Sequence, residues 1–480
     1  MANGDRLSGL DASFLALEKG GAHMHVGSVL VFDGPAPPYE DLVAQLERRL
    51  HLVPRYRQKL AFPPFGAGRP VWVDDPHFKA HYHLRHTALP PPASQDQLKA
   101  LAGRVLSQQL DRSKPLWEIW MVDRVGEDAF ALVCKTHHAL VDGISGVDIT
   151  TVLFDLEPDP PAADPPPPWY PRPEPSRAAL LADALAERAT LPLEAARAAA
   201  GAAARPARVA EETGRALGGL AQMLAAGVRG APPSPLNVRI GPHRRFTWVE
   251  SELARLKAIK DALGGSINDV VLTVVAGALR GHLQRRGRDP DGMELKAMVP
   301  VSVRADTERG ALGNRVAAVY APLPVGIAEP VDRYRTVHDA MAHLKGSGQA
   351  VGAEVITRMA GVAAPTILDQ AGRLQSLQRF FNVTVTNVPG PQFALYMLGR
   401  RLRSFHPVVP LVTNTALGIA IMSYDGRVSF GLLGDYDAMP DLDELAADLT
   451  AAIDELAAAA GVPDAGRRRR PARRRAPAPT

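Results

Sequence analysis

Two adjacent histidines, His137 and His138, stand just ahead of Asp142 and Gly143 in the stretch CKTHHALVDGISG, residues 134–146. The apolar run FALVC before them predicts a strand, so the pair lies at a strand end, where proteins often display reactive groups. Successive side chains of a strand point to opposite faces, so the two rings cannot both line one pocket. We therefore expect one histidine to face the chemistry and the other to be packed or hydrogen-bonded.

Metal binding and nucleophilic catalysis are both disfavoured at this pair. No cluster of carboxylates or cysteines nearby supplies further metal ligands. Cys134 lies four strand residues from His138, ~13 Å away, so it is expected to be a small core residue rather than an activated nucleophile. No Gly-x-Ser-x-Gly elbow offers a serine. What remains is a histidine that removes a proton from a substrate hydroxyl, which an ordinary pKa of about 6.5 allows at cytosolic pH.

The composition is that of a globular protein with more than one domain. The chain has 480 residues, of which 46% are hydrophobic and 22% charged, and this length suggests about two to three domains. The single cysteine excludes an internal disulfide and fits a reducing cytosol. The sequence has neither a recognisable signal peptide nor an apolar run long enough to span a membrane, so we expect a cytoplasmic protein.

The basic charge is concentrated at the C-terminus. Residues 467–470 and 473–475 are seven arginines, more than the net charge of +4, so the rest of the chain is slightly acidic. This tail is either a disordered solubilising segment or a site of attraction to anionic lipid headgroups, at ~1 kcal/mol per basic residue. Nucleic acid is not expected as a partner, because no aromatic residues interleave with the arginines.

A proline-rich break divides the chain. Ten prolines lie between Pro158 and Pro175, a composition that excludes ordinary helix and sheet. We predict an N-terminal domain over 1–157, a linker with alanine-rich helices over 158–235, a C-terminal domain over 236–462 and a disordered tail over 463–480. Both halves mix strand and helix signals, which indicates an α/β (α+β) fold with a ligand cleft between two similar halves.

Several elements are predicted by local patterns. Strands are expected at VGSVLVF, FALVCKTH, AMVPVSV and NVTVTNV, and helices at QDQLKALAGRVLSQQL, INDVVLTVVAGALRGHL and DLDELAADLTAAIDELAAAA. Asp425-Gly426 in SYDGRVSF predicts the turn of a hairpin.

The segment HHALVDG, residues 137–143, matches the His-His-x-x-x-Asp-Gly motif of CoA-dependent acyltransferases. Further segments, in the same order along the chain, make the whole similar to the bacterial wax ester synthase/diacylglycerol acyltransferase family over roughly residues 7–460: LDASFLALE, MHVGSVLVF, KPLWEIWMVD, INDVV, VPVSVR, LGNRV and NVTVTNVPGP. The resemblance implies two subdomains like chloramphenicol acetyltransferase, with mixed β-sheets and a central tunnel or cleft.

The resemblance also assigns roles at the histidine motif. It makes His138 the base and His137 structural, with direct transfer and no acyl-enzyme. It implies that Asp142 turns away from the histidine and pairs with Arg304, although a solvated strand-end charge is an alternative for the arginine. Gly143 is expected to permit a backbone geometry that a side chain would oppose.

Donors for the negative charge that develops during thioester attack are expected elsewhere. The resemblance points to Asn268-Asp269, but Ser266 and Asp269 also form a Ser-x-x-Asp capping pattern, and both interpretations stay open. Thr384 and Thr386 are weaker candidates for the same role. Gly313-Asn314 matches a family motif and is alternatively simple turn chemistry.

As a function, the resemblance implies esterification of diacylglycerol or a long-chain fatty alcohol. Acyl-CoA would be a co-substrate, with no bound cofactor or metal, and the work would take place on the inner membrane face or on lipid inclusions. Two alternatives remain: a condensation-type acyltransferase that uses carrier-protein thioesters, and a non-catalytic protein that coats lipid inclusions.

Overall fold

A computed structural model of the chain describes residues 6–18, 20–140, 153–161, 164–187, 189, 230–302, 316–346 and 380–463. The strands in these ranges are β1 (His25–Asp33), β2 (Gln58–Ala61), β3 (Val71–Asp74), β4 (Leu84–Thr87), β5 (Trp117–Val125), β6 (Ala129–His137), β7 (Arg244–Glu252), β8 (Leu295–Ser302), β9 (Val316–Leu323), β10 (Val383–Pro389), β11 (Tyr396–Met397), β12 (Arg400–Val408), β13 (Leu417–Tyr424) and β14 (Arg427–Asp435). The α-helices are α1 (Gly9–Leu17), α2 (Tyr39–Arg49), α3 (Ala80–His83), α4 (Gln95–Ser107), α5 (177–187), α6 (Leu253–Leu263), α7 (Ile267–Arg285), α8 (Pro330–Gly346) and α9 (Leu442–Ala459).

The strand that ends in the histidine pair lies inside a six-stranded sheet with the order β11-β12-β1-β6-β5-β4. Strand β6 runs antiparallel to β1, so that His25 pairs with His137 and Asp33 with Ala129. All nine residues of β6 are buried, because both faces of the sheet are covered. Val133 belongs to one apolar core and Cys134 to another, which confirms the prediction that Cys134 is a core residue.

The first sheet is completed by chain from the second half of the sequence. Strand β12 pairs antiparallel with β1, with Val408 opposite Gly27 and Leu402 opposite Phe32. Strand β11 adds the edge beyond it. The two halves therefore share a sheet.

A second six-stranded sheet has the order β7-β14-β13-β10-β8-β9, with parallel pairing of β10 to both β13 and β8. Helices α6, α7, α8 and α9 pack on one face of it and on each other. Their apolar side chains form one continuous core with the sheet and with α4. This core holds the two halves together, since α4 belongs to the first half and contacts β7 in the second.

The strands and helices predicted in the two halves are confirmed. Most of the alanine-rich helical segment predicted in the linker, residues 190–229, lies outside the described residues. The predicted turn at Asp425-Gly426 joins β13 to β14 and has a left-handed backbone at both residues, with φ of 44° and 79°. Helix α4 begins at a capping box formed by Ser94 and Gln97. The two mixed sheets and the helices packed on them confirm the predicted α/β fold class.

The face of the second sheet that the helices leave uncovered lies against β12. The carbonyl oxygen of Pro407 lies 1.9 Å from where a Cβ would stand on Gly431, so only a glycine permits this approach. One side of the interface between the halves is therefore built from strand backbone. Among the described helices none by itself is long and apolar enough to cross a membrane, although α6 and α7, bent by 99°, satisfy the criteria as a pair.

Candidate active site

His138 follows directly on β6 and is held by its backbone and by its ring. Its backbone N–H donates to the carbonyl of Met24 at 2.7 Å. Its ring stacks on Phe14 of α1, with 3.9 Å between ring centroids and 26° between the planes. Its Nδ1 is buried and has no hydrogen-bond partner among the described residues. The side chain is only partly buried, so the other ring edge, which carries Nε2, is the one available to a substrate.

The environment of His138 keeps the imidazole neutral. Burial lowers its pKa to about 4, and the neighbouring His137 acts in the same direction. A contact with the residue's own backbone carbonyl acts to raise the pKa and is outweighed by burial. At cytosolic pH the ring is therefore a proton acceptor, as general-base catalysis requires.

His137 has a structural environment, as predicted. Its ring is 1% exposed. Nδ1 accepts a hydrogen bond from the backbone N–H of Ala139 at 3.0 Å, which assigns the ring proton to Nε2. Nε2 faces a carboxylate oxygen of Glu18 at 3.6 Å. The His137 ring thus fixes the turn that follows β6.

Glu18 is the centre of a buried charged cluster beneath the pair. Its side chain is 2% exposed and lies 2.6 Å from Nη2 of Arg112 and 3.5 Å from Nε2 of His25. Burial acts to raise its pKa, but hydrogen bonds with His137 and Arg112 and the positive charge around it lower the pKa below the ordinary value. The carboxylate is therefore ionised, and it joins α1, β1 and β6.

Helix α1 thus contacts both histidines. Phe14 stacks on His138, and four residues later Glu18 faces His137. Residues four apart in a helix share one face, which explains how a single short element reaches both rings. These two roles were not predicted, although LDASFLALE carries a signal: the acidic Glu18 directly follows the apolar stretch FLAL.

Asn268 and Asp269 lie at the start of α7, and Asp269 serves the helix. Asp269 accepts a hydrogen bond from the backbone N–H of Ser266 at 2.8 Å and, with Ser266, forms a complete capping box. Its other described partner is His338 Nδ1 at 3.1 Å. The capping interpretation is confirmed. Among the described residues no recorded hydrogen bond or ion pair links Asn268 or Asp269 to His138.

Thr384 and Thr386 lie on β10 and on the face of the second sheet turned away from Val383 and Val385, which belong to the helical core. Thr384 is 2% exposed, and its hydroxyl has no hydrogen-bond partner among the described residues. It pairs with Gly418, which packs against Val409 just beyond β12. Thr384 therefore offers an uncommitted hydroxyl at the interface between the halves.

Strand pairing connects this interface to the histidine loop. Val408 pairs with Gly27, and Met24, whose carbonyl accepts from the backbone N–H of His138, lies three residues before Gly27. Three extended residues span ~10 Å. Among the described residues no hydrogen bond joins Thr384 to His138, and the role of Thr384 as a donor stays a prediction.

Five predicted residues lie outside the described part of the chain: Asp142, Gly143, Arg304, Gly313 and Asn314. Their roles, including the proposed ion pair between Asp142 and Arg304, stay predictions. Among the described residues no group of three or more histidine, cysteine or acidic side chains is arranged to hold a metal ion.

A cavity of about 390 Å³ lies between the two sheets at the opposite end of β6 from the histidines. It is lined by Ala129, where β6 begins, and by Trp248, Arg403 and His406. Since β6 is nine residues long, this cavity lies ~25 Å from His138. It is not the site of the histidine chemistry.

Comparison with protein families gives the class of protein to which this fold and site belong. The family model for the wax ester synthase/diacylglycerol acyltransferase catalytic domain matches residues 7–271, and the model for the C-terminal domain of that family matches residues 312–457. The chain belongs to the wax ester synthase/diacylglycerol acyltransferase family and is an acyltransferase.

Named relatives agree with this membership. A putative diacylglycerol O-acyltransferase of Mycobacterium tuberculosis is 33% identical over 470 residues, which cover 94% of this chain and 90% of the relative. A second, named a probable diacylglycerol O-acyltransferase, is 31% identical over 467 residues, which cover 95% of this chain and 96% of the relative.

Solved structures share the fold. The wax ester synthase/diacylglycerol acyltransferase from Marinobacter aquaeolei VT8 aligns with a TM-score of 0.67 and 28% identity, covering 95% of this chain and 100% of that one. A trichothecene 15-O-acetyltransferase from Fusarium sporotrichioides aligns with a TM-score of 0.58 at 12% identity, covering 94% of each chain, which is a likeness of fold alone.

Proposed function

We propose that this acyltransferase moves a long acyl chain from coenzyme A to the hydroxyl group of diacylglycerol or of a long-chain alcohol. The observation that carries the proposal is His138, whose neutral and partly exposed imidazole stacks on Phe14 and whose backbone N–H donates to the Met24 carbonyl. The names of the mycobacterial and Marinobacter relatives support the choice of acceptors.

The reaction would proceed by direct transfer. Nε2 of His138 takes the hydroxyl proton while the hydroxyl oxygen attacks the thioester carbonyl carbon, and a C–O bond forms. The tetrahedral intermediate then collapses, the C–S bond breaks, and the imidazolium returns the proton to the leaving thiolate. The products are an ester and free coenzyme A, and His138 is neutral again.

Two of the chain's residues are proposed to assist this step. The carbonyl oxygen becomes negative in the intermediate and requires a hydrogen-bond donor. The buried and unpartnered hydroxyl of Thr384 suits that role better than Asn268, which stands at a capped helix start in the second half. Glu18 would act through His137 as a positioning residue.

The acceptors are apolar lipids, so the proposed enzyme works at a lipid surface, either the inner membrane face or an inclusion. The arginine tail is proposed to add attraction to anionic headgroups. Removing residues 466–480 should weaken binding to anionic vesicles and leave binding to uncharged vesicles unchanged. Equal binding of both proteins to anionic vesicles would remove the tail from the proposal.

The experiment that tests the function offers the purified protein palmitoyl-CoA together with dioleoylglycerol, hexadecanol or no acceptor. Release of coenzyme A thiol is measured, and the lipid products are identified by mass spectrometry. The proposal expects thiol release that depends on the acceptor, with triacylglycerol or wax ester formed in equal amount. Thiol release without an ester product would contradict direct transfer.

A further inference from the structure

An apolar tip projects from the small hairpin formed by β2 and β3. The loop between these strands carries Phe62, which is 50% exposed, and Phe65, which is 96% exposed. Leu185 of α5 is 53% exposed, and its neighbour Ala184 packs against the loop at Gly68. We call Phe62, Phe65 and Leu185 the hairpin tip.

The loop holds Phe65 outward in an unfavourable backbone conformation. Phe65 has φ of 57°, and Gly66 after it has φ of 61°. A left-handed backbone is rare for a bulky residue and costs ~1 kcal/mol or more, so the surrounding structure must impose it. Two prolines precede Phe65, and the N–H of Ala67 donates to the carbonyl of Pro64 at 3.1 Å to close a rigid turn.

The base of the loop is braced by the segment that leads into α1. The N–H of Leu7 donates to the carbonyl of Pro70 at 3.0 Å, and Arg6 bridges to Val71. Leu7 is only two residues before α1, on which Phe14 supports the catalytic ring. From Gly9 to Phe14 the helix rises ~8 Å. The hairpin tip is therefore fixed to the same element that positions His138.

The charged groups at the base of the hairpin tip neutralise one another. Arg6 lies 2.5 Å from a carboxylate oxygen of Asp183 and 3.1 Å from one of Glu187. Arg69 pairs with Glu187 as well. At the base of the hairpin tip two arginines thus pair with two carboxylates.

We infer that the hairpin tip inserts into an uncharged lipid surface and so places the active site against the phase that holds its substrates. The inference rests on the proposed function for the identity of the phase. Interfacial elements bury their apolar face in the headgroup boundary by ~5–10 Å. An exposed, rigid aromatic tip is suited to the same burial. The mutual neutralisation of the arginines points to insertion by apolar contact and not by attraction to anionic headgroups.

Binding can be measured without any turnover, so its result does not depend on the proposed reaction. Full-length protein is floated with vesicles of phosphatidylcholine containing dioleoylglycerol, at low salt and at high salt. The variant Phe62→Ser/Phe65→Ser is compared with Leu156→Ser, which changes a leucine that is 70% exposed beside β11. His138→Ala serves as a catalytically impaired protein with an intact hairpin tip.

The expected result is binding of the wild type and of His138→Ala that high salt does not release, because uncharged lipid offers no screened attraction. The double variant should bind at least ~10-fold more weakly, since each aromatic ring loses most of its apolar burial. Leu156→Ser should bind like the wild type. Equal melting temperatures would show that the variants fold.

Three results would overturn the inference. Unchanged vesicle binding by the double variant would remove the hairpin tip as the insertion site. A wild-type dimer that the double variant converts to monomer would assign the surface to a second copy of the chain. In a Phe65→Trp variant, lipid insertion requires that vesicles shift the fluorescence emission of the added indole to the blue. An emission that is already blue-shifted without vesicles would show that another part of the chain covers the hairpin tip.

Discussion

The end of β6 and the start of α7 were both predicted to carry catalytic groups, but the side chains at the two places have different environments. At the end of β6, Phe14 and Met24 support His138, and its Nδ1 has no hydrogen-bond partner among the described residues. At the start of α7, Asp269 is occupied by Ser266 and His338. The comparison teaches that a side chain is available for chemistry where other residues hold the local backbone, as at His138. At Asp269 the carboxylate itself holds the backbone of the helix start.

The first prediction contrasts the two supporting carboxylates. Glu18→Ala should lower the free energy of unfolding by about 2 kcal/mol, because it removes the buried carboxylate that accepts hydrogen bonds from Arg112. It should also reduce kcat at least ~10-fold, since His137 loses the group that orients it. Denaturant unfolding and thiol release measure the two effects. Asp269→Ala is the matched control.

For Asp269→Ala the expected loss is about 1 kcal/mol of stability, the usual value of a helix cap, with kcat little changed. If Asp269→Ala instead abolished activity in a protein of near wild-type stability, the contrast between the two regions would be wrong. Glu18→Gln, which keeps the volume and one acceptor oxygen, should recover part of the lost activity.

The second prediction concerns the donor for the developing negative charge. Thr384→Val removes the hydroxyl and keeps the shape of the side chain. Because the hydroxyl is buried without a described partner, the variant should be about 1 kcal/mol more stable than the wild type. Its kcat should nevertheless fall ~100-fold if the hydroxyl stabilises the intermediate.

Asn268→Ala is the corresponding test at the other region. It should leave kcat within a few-fold of the wild type, and single-turnover rates measure this without interference from product release. A large loss for Asn268→Ala together with none for Thr384→Val would exchange the two assignments.

The third prediction is a shift in pH dependence, the smallest of the three effects. The reaction needs a neutral His138, so kcat/KM should fall as the pH drops through the pKa of about 4. Phe14→Ala lets water reach the ring and weakens the burial that lowers this pKa. The acidic limb of the profile should therefore move to higher pH, towards the ordinary value of about 6.5. An unchanged acidic limb, with lowered kcat, would reduce Phe14 to a purely geometric support.

Local patterns predicted most of the elements, because their causes are local. The local causes are the Ser266 cap, the Asp425-Gly426 turn and the apolar residues of β6 and β10, each of which depends on neighbours within a few residues. The different environments of His137 and His138 followed from strand geometry alone. The resemblance to a family suggested catalytic roles for both regions. Hydrogen bonds, which local sequence patterns do not predict, then distinguished the two.

What the sequence did not reveal depends on contacts between distant residues. Arg112 meets Glu18 across 94 positions of the chain, and no periodicity predicts such a pairing. The insertion of β11 and β12 into the first sheet is similar, since a strand pattern does not say which sheet the strand joins. The open hydroxyl of Thr384 became visible only when its surroundings were known.

The central claim is that His138 is the base and that α1 and its neighbours hold it in place. The most direct measurement is acceptor-dependent thiol release from palmitoyl-CoA by the wild type, His138→Ala and His137→Ala, at pH 7 and at equal folded concentration. The account predicts that His138→Ala loses at least ~100-fold in kcat, the usual contribution of a general base, with its melting temperature retained. His137→Ala should lose stability as well as rate, because its ring is buried against Glu18. Wild-type rates from a folded His138→Ala protein would contradict the account.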